Sequence, residues 1–173
     1  MSISYYDVTV PIFKKSLTNL KSFLRKGVEH ASENGVTEVQ YLDLQLSPDM
    51  FPLRRQIQIA TDNARGSVAR LAGVAPLVLD DTETTLAELE ARVDKVVAYL
   101  DAVTPEQFTA AATAMVTLPY FPGKHFTGHD YLVEYALPNF FFHVTTAYAI
   151  IRSSGVPLGK RDYLGALTLH DDA

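Results

Sequence analysis

Apolar side chains recur at intervals of three and four residues over four long stretches of the chain, and each stretch predicts an amphipathic helix. The first runs through Ile3, Tyr6, Val10, Phe13, Leu17, Leu20 and Leu24 and closes near Asn34-Gly35, where a left-handed stop is available. Pro11 lies inside it and, lacking a backbone donor, predicts either a bend or a short irregular entry before the main helix. Leu53, Ile57, Ala60, Ala64, Val68 and Leu71 predict a second helix, closed by Gly73 and Pro76. Gly66 within it costs roughly 1 kcal/mol relative to alanine and is expected to let a neighbouring helix approach. Thr85, followed three residues later by Glu88, is a capping box opening a third helix through Leu86, Leu89, Val93, Val96, Leu100 and Val103, which Thr104-Pro105 ends. The fourth opens at Thr127 with Asp130 supporting the cap. Its inward stripe is Leu132, Ala136, Phe140, His143, Ala147 and Ile150; Pro138 predicts a bend, and Gly155 with Pro157 a stop.

Between the first two helices, 36–50 is read as a connection of extended or short helical character. Before the fourth, two short β-prone runs, Met115-Val116-Thr117-Leu118 and His125-Phe126-Thr127, flank Pro122-Gly123 and predict a small hairpin. The whole is therefore expected to be one all-α domain over residues 1–173, an antiparallel four-helix bundle with a small β-hairpin before its last helix. The tail carries Tyr163, Leu164 and Leu167, expected to pack back or to meet a second subunit.

Composition narrows the chemistry. The chain has 173 residues, a net charge of −5 and no Cys, which leaves no thiol for a disulfide, a zinc ribbon or an iron–sulfur cluster. Basic residues form only short clusters such as Lys14-Lys15 and Lys160-Arg161, so no nucleic-acid partner is expected. No apolar run reaches membrane-spanning length and Met1 to Leu20 lacks a leader pattern, so a cytoplasmic protein without a membrane partner is expected. Dinucleotide, P-loop and α/β-hydrolase glycine motifs are absent from the sequence.

His143 is the sharpest candidate, a titratable imidazole on a stripe of Ala, Phe and Ile. Asn139 stands one turn before it on about the same face. Two readings follow, a neutral imidazole satisfied within the core or the wall of a small-ligand pocket. A catalytic zinc needs about three protein ligands. The position four residues after His143 is Ala147, and the second helix offers Gln56, Gln58 and Asp62, so no complete metal site and no cofactor are expected. His125 and His129 are separated by Gly128 and the helix cap and are read as solvated turn residues, as Asp62 and Glu134 are read as ordinary surface charges. Tyr131, Tyr135, Phe140, Phe141, Phe142 and Tyr148 cover nearly every face of the last helix, which predicts a homodimer or an interaction scaffold.

Three stretches carry a family resemblance: Asp49-Met50-Phe51-Pro52-Leu53, Arg55-Gln56-Ile57-Gln58, and Leu137-Pro138-Asn139-Phe140-Phe141-Phe142-His143-Val144-Thr145-Thr146-Ala147-Tyr148. The chain resembles, from Tyr5 to Lys160, the domain of unknown function 1993 (DUF1993), itself similar to the DinB/YfiT-like helical bundles. The resemblance implies a DinB-like bundle. More distant relatives include metal-dependent proteins, some of them thiol transferases, with one His on the second helix and an H-x-x-x-H on the fourth. His143 matches the first His of that pair, and Ala147 stands in place of the second. A metal-dependent hydrolase or thiol transferase using His143 is thus the alternative activity that the resemblance implies.

Overall fold

A computed structural model describes residues 3–172. Helix α1 spans Val10–Glu33, and the residues before it form turns, so Pro11 falls in the first helical turn, where a missing N–H breaks no helical bond. The irregular entry is thus the form adopted, and Ile3 is exposed rather than part of the stripe. Short α2 (Glu38–Leu42) carries its own capping box, Thr37 with Gln40. Helix α3 (Leu53–Ala72) ends on Gly73 at φ 67°, the left-handed conformation that glycine adopts without steric cost. Helix α4 (Leu86–Asp101) opens on the Thr85/Glu88 box. Two 3₁₀ turns (Pro105–Phe108 and Ala111–Thr113) lead to strands β1 (Met115–Val116) and β2 (Phe126–Thr127), which pair antiparallel with Met115 opposite Thr127.

The fourth long helix is compound. Thr127 caps it by accepting the Asp130 N–H at 3.2 Å, and the chain then runs through α5 (Gly128–Asp130), a π-helical turn (Tyr131–Ala136) and α6 (Leu137–Ser153). Pro138 has no N–H, and its ring would crowd the Glu134 carbonyl of a regular helix; the wider π turn sits immediately before it. The predicted inward stripe is buried at every position from Leu132 to Ile150. After Gly155, short α7 (Lys160–Leu164) folds back on α1, with Asn19 donating to the Tyr163 carbonyl and the Tyr163 ring set edge-on to Tyr148.

Side-chain pairings fix the directions. Lys14–Asp101, Lys21–Asp94 and Arg25–Glu90 step in opposite senses along α1 and α4, so these two helices are antiparallel. Gln56 meets His143 and Ser67 meets Tyr131, which makes α3 antiparallel to the fourth helix. Phe13–Phe140 and Phe23–Tyr148 rise together, so α1 and α6 run parallel, and by the same logic so do α3 and α4. This last arrangement requires the chain to travel back along α3 before α4 begins. Residues 73–85, extended at about 3.3 Å each, can cover the roughly 30 Å length of that helix. Cross-links then hold the returning connection down: Tyr99 donates to the Ala75 carbonyl, Arg65 to Leu77 and Arg92 to Asp80.

The core lies between the four long helices and is built from Phe13, Leu17, Ile57, Val93, Val96 and Phe140 with their neighbours. Gly66 does not admit a helix: a Cβ there would stand 2.6 Å from Nη1 of Arg70, so its missing side chain makes room for a guanidinium folded back along α3.

Candidate functional site

His143 is 7 % exposed on α6, with Nδ1 2.7 Å from Oε1 of Gln56 on α3. Gln56 donates its Nε2 to the Phe51 carbonyl at 2.9 Å, which turns Oε1 toward the imidazole and makes Nδ1 the protonated nitrogen. Burial, reinforced by the charge of nearby Arg55, lowers the imidazole pKa to about 4, so the ring is neutral at pH 7. Of the five residues singled out by sequence, these two meet directly. Gln58 instead accepts from Arg55 and donates to Glu83, and Asp62 pairs with Arg65 and Arg92 rather than with Glu134. Asn139 lies on the wall of a separate cavity.

That cavity, of about 150 Å³, opens between α3 and the π turn, and Asp62, Ile59, Asn63, Arg70, Tyr131 and Asn139 line it. Leu118 and Tyr120, from the loop joining the two strands, complete the wall together with Arg55 and Tyr135. A directed chain of hydrogen bonds runs along it. Arg70 donates to the Tyr131 hydroxyl at 3.4 Å, that hydroxyl meets Ser67 Oγ at 3.0 Å, and Ser67 donates to Asn63 Oδ1 at 3.0 Å. Since Ser67 spends its proton on Asn63, the Tyr131 hydroxyl donates to Ser67 and is free to accept from the guanidinium. The Arg70 guanidinium also lies 6.0 Å from the centre of the Tyr131 ring.

Arg92 is the buried charge beside these residues, on a helix stripe that is otherwise apolar. It is 1 % exposed on α4, where it bonds the Thr61 hydroxyl and the carboxylates of Asp62, Asp81 and Glu83. Burial pulls its pKa down; the Glu83 hydrogen bond and the charges of Asp62, Glu83 and Asp81 outweigh that and leave it above the ordinary value. Its place on the stripe was visible as the position three after Leu89 and four before Val96. Arg70, Ser67 and Asn63 follow likewise from i, i+3 and i, i+4 spacing on α3. Tyr131 could not be aligned with them before the π turn was known.

Metal ligation does not fit these residues. Ala147 offers no donor, Gln56 holds the nitrogen of His143 that faces α3, and no three His, Cys, Asp or Glu among the described residues form a group able to hold an ion. His129 is exposed and bonds the Tyr5 hydroxyl, while His125 lines a neighbouring concavity beside Lys124. No helix among the described residues is long and apolar enough to cross a membrane.

Comparison with known proteins places the chain. No curated protein matches it. A solved structure of a DinB family member protein from Shewanella denitrificans is similar at a TM-score of 0.92 and 43 % identity, over 96 % of this chain and 95 % of that one. A family described only as a domain of unknown function, DUF1993, matches residues 5–164. The chain therefore belongs to the DUF1993 family and shares the fold of a DinB family member.

Proposed function

We propose that this protein binds a small molecule in the cavity between α3 and the π turn and recognises it with side chains rather than through a resident metal. The Arg70–Tyr131–Ser67–Asn63 chain carries this reading, because it fixes the orientation of three lining side chains, Arg70, Tyr131 and Asn63, through the buried Ser67 behind them. His143 supports the site from below: with Gln56 it ties α6 to α3 next to Asn139 and the cavity. A ligand-observed NMR screen with mixed small fragments, run on the wild type and on Asn139→Phe, tests it. Hits that disappear in the variant are expected. A wild type without hits, or hits indifferent to the blocked cavity, would refute the reading. Stoichiometric zinc or nickel retained through chelator-free purification, and lost in His143→Ala, would favour a metal-dependent hydrolase or thiol transferase instead.

A homodimer is the second part of the proposal. Pro138, Phe142, Thr145 and Ala149 form an uncharged stripe about 16 Å long on the outer side of α6, with Phe142 57 % exposed and Leu46 beside it. Such a stripe can pack against a copy of itself across a twofold axis without burying a charge. Light scattering is expected to give twice the chain mass for the wild type and the monomer mass for Phe142→Glu. A monomeric wild type at micromolar concentration would exclude this interface.

A further inference from the structure

We infer that the ligand of this cavity is a compact organic anion, a carboxylate on a body about the size of one ring, with Arg70 as its charge anchor. The inference rests on the small-ligand reading above and adds the chemical class. Charge accounting around the wall carries it. Asp62 is neutralised by Arg65 and Arg92, and Arg55 is engaged by Asp81. Arg70 is left over: among the described residues its guanidinium meets a tyrosine hydroxyl and a tyrosine ring but no carboxylate. A planar guanidinium presents paired N–H donors whose spacing matches a carboxylate, so an unmatched one at a cavity rim favours such a group.

Three further features agree. The adjoining concavity, which shares Arg70 and Leu118 with the cavity, adds Lys124 and His125 and no acidic residue. Lys124 thus sets a second cation, without a carboxylate partner among the described residues, beside Arg70. Second, the amides of Asn63 and Asn139 both line the cavity; Ser67 occupies the carbonyl of the first, which leaves the Asn63 NH₂ as a donor. Third, the size and the apolar part of the lining suit a ring: about 150 Å³ is the volume of an engineered cavity that takes up benzene, and here Ile59, Leu118 and the stacked Tyr131 and Tyr135 would face the body of the ligand.

Gly66 gives the inference a second handle. A methyl group there would displace the Arg70 head without touching the backbone, and alanine suits a helix interior better than glycine. The test measures binding of benzoate, of benzamide as its neutral counterpart and of inorganic phosphate as charge without a ring, by calorimetry on the wild type, Arg70→Gln and Gly66→Ala. Benzoate is expected to bind about tenfold more tightly than benzamide, and Arg70→Gln to weaken benzoate about tenfold while leaving benzamide unchanged. Gly66→Ala is expected to weaken benzoate with no loss of thermal stability. Equal binding of benzoate and benzamide, indifferent to Arg70, would overturn the anion inference while the small-ligand reading stands. Phosphate binding as tightly as benzoate would overturn the ring-sized body. Failure of the wild type to bind benzoate would overturn the inference outright, and the fragment hits sensitive to Asn139→Phe then decide the small-ligand reading separately.

Discussion

Acidification from pH 7 to pH 5 is predicted to remove about 2 kcal/mol of stability through His143 alone. In an unfolded chain an imidazole titrates near 6.5. In the fold, burial and the charge of Arg55 lower it to about 4. Between those two values the unfolded state takes up a proton that the folded state refuses, so acid favours unfolding there. Each pH unit in this window is worth about 1.4 kcal/mol, which gives about 2 kcal/mol at pH 5 and a plateau near 3 kcal/mol once both states are protonated below pH 4. Above pH 6.5 both states are neutral and the contribution vanishes. With His143 only 7 % exposed, solvent screening does little to reduce these figures. Urea unfolding of the wild type and His143→Gln at both pH values isolates the effect. The substitution has its own cost at pH 7, but the wild type is expected to lose about 2 kcal/mol more than the variant on acidification. Equal losses, or a ring-nitrogen NMR titration placing His143 near 6.5, would refute the burial and the Gln56 hydrogen bond on which the number depends.

Arg92→Met is predicted to cost about 3 kcal/mol, seen as a melting temperature lower by roughly 6–12 °C, because it leaves the Glu83 carboxylate with only the neutral Gln58 amide and takes the donor away from the Thr61 hydroxyl oxygen and the Asp80 carbonyl. Asp62 and Asp81 retain Arg65 and Arg55, which keeps the loss at the low end for a broken buried pair, and a cost below about 1 kcal/mol would mean that desolvation of the guanidinium cancels its contacts. Gly128→Ala is expected to destabilise by about 2 kcal/mol or more in thermal unfolding, since a Cβ there would lie 1.7 Å from the Ala111 carbonyl oxygen and the backbone must yield; an unchanged melting temperature would show that the 3₁₀ turn shifts freely. Thr85→Ala should cost about 1 kcal/mol in urea unfolding through loss of the Glu88 N–H bond, and a change of a tenth of that would place the cap elsewhere.

Helical periodicity carried most of the fold because the four long stripes are nearly uninterrupted. Phe13 through Leu24, Leu53 through Leu71 and Leu89 through Leu100 are buried where their spacing placed them, and the Thr85/Glu88 box forms as read. Periodicity reports faces, however, and not directions. That α3 and α4 run parallel depends on a connection whose anchor, Arg92, sits on the apolar stripe of α4, where spacing marks the position but not the carbonyl and carboxylates that the guanidinium meets. The hairpin pairs Met115 with Thr127 and Val116 with Phe126, and the expected turn at Pro122-Gly123 forms, with the Lys124 N–H bonded to the Phe121 carbonyl and Gly123 at φ 74°; it lies inside a nine-residue connection over 117–125 that also carries Leu118 and Tyr120 to the cavity wall. The candidate site was legible in part. His143 stood out because it broke an apolar stripe, whereas Arg70 and Tyr131 follow the ordinary rules of a helix surface and acquire meaning only when two helices are juxtaposed.

The π turn makes the count of residues between Thr127 and Pro138 a determinant in its own right. One residue of an α-helix corresponds to about 100° of rotation. A π turn takes in one residue more than an α-helical turn, so Tyr131–Ala136 absorbs an extra residue that would otherwise rotate the preceding segment by that angle, and removing it would leave α5 and α6 in phase while resetting the turn itself. Tyr131 and Leu132, both core residues, and Tyr135 at the recess would be re-seated, while Asn139 and His143 stayed. Within this architecture, then, the length of one helical turn sets the shape of the recess without rotating the bundle around it, and two chains with the same four long helices and the same His143 would differ there by a single residue.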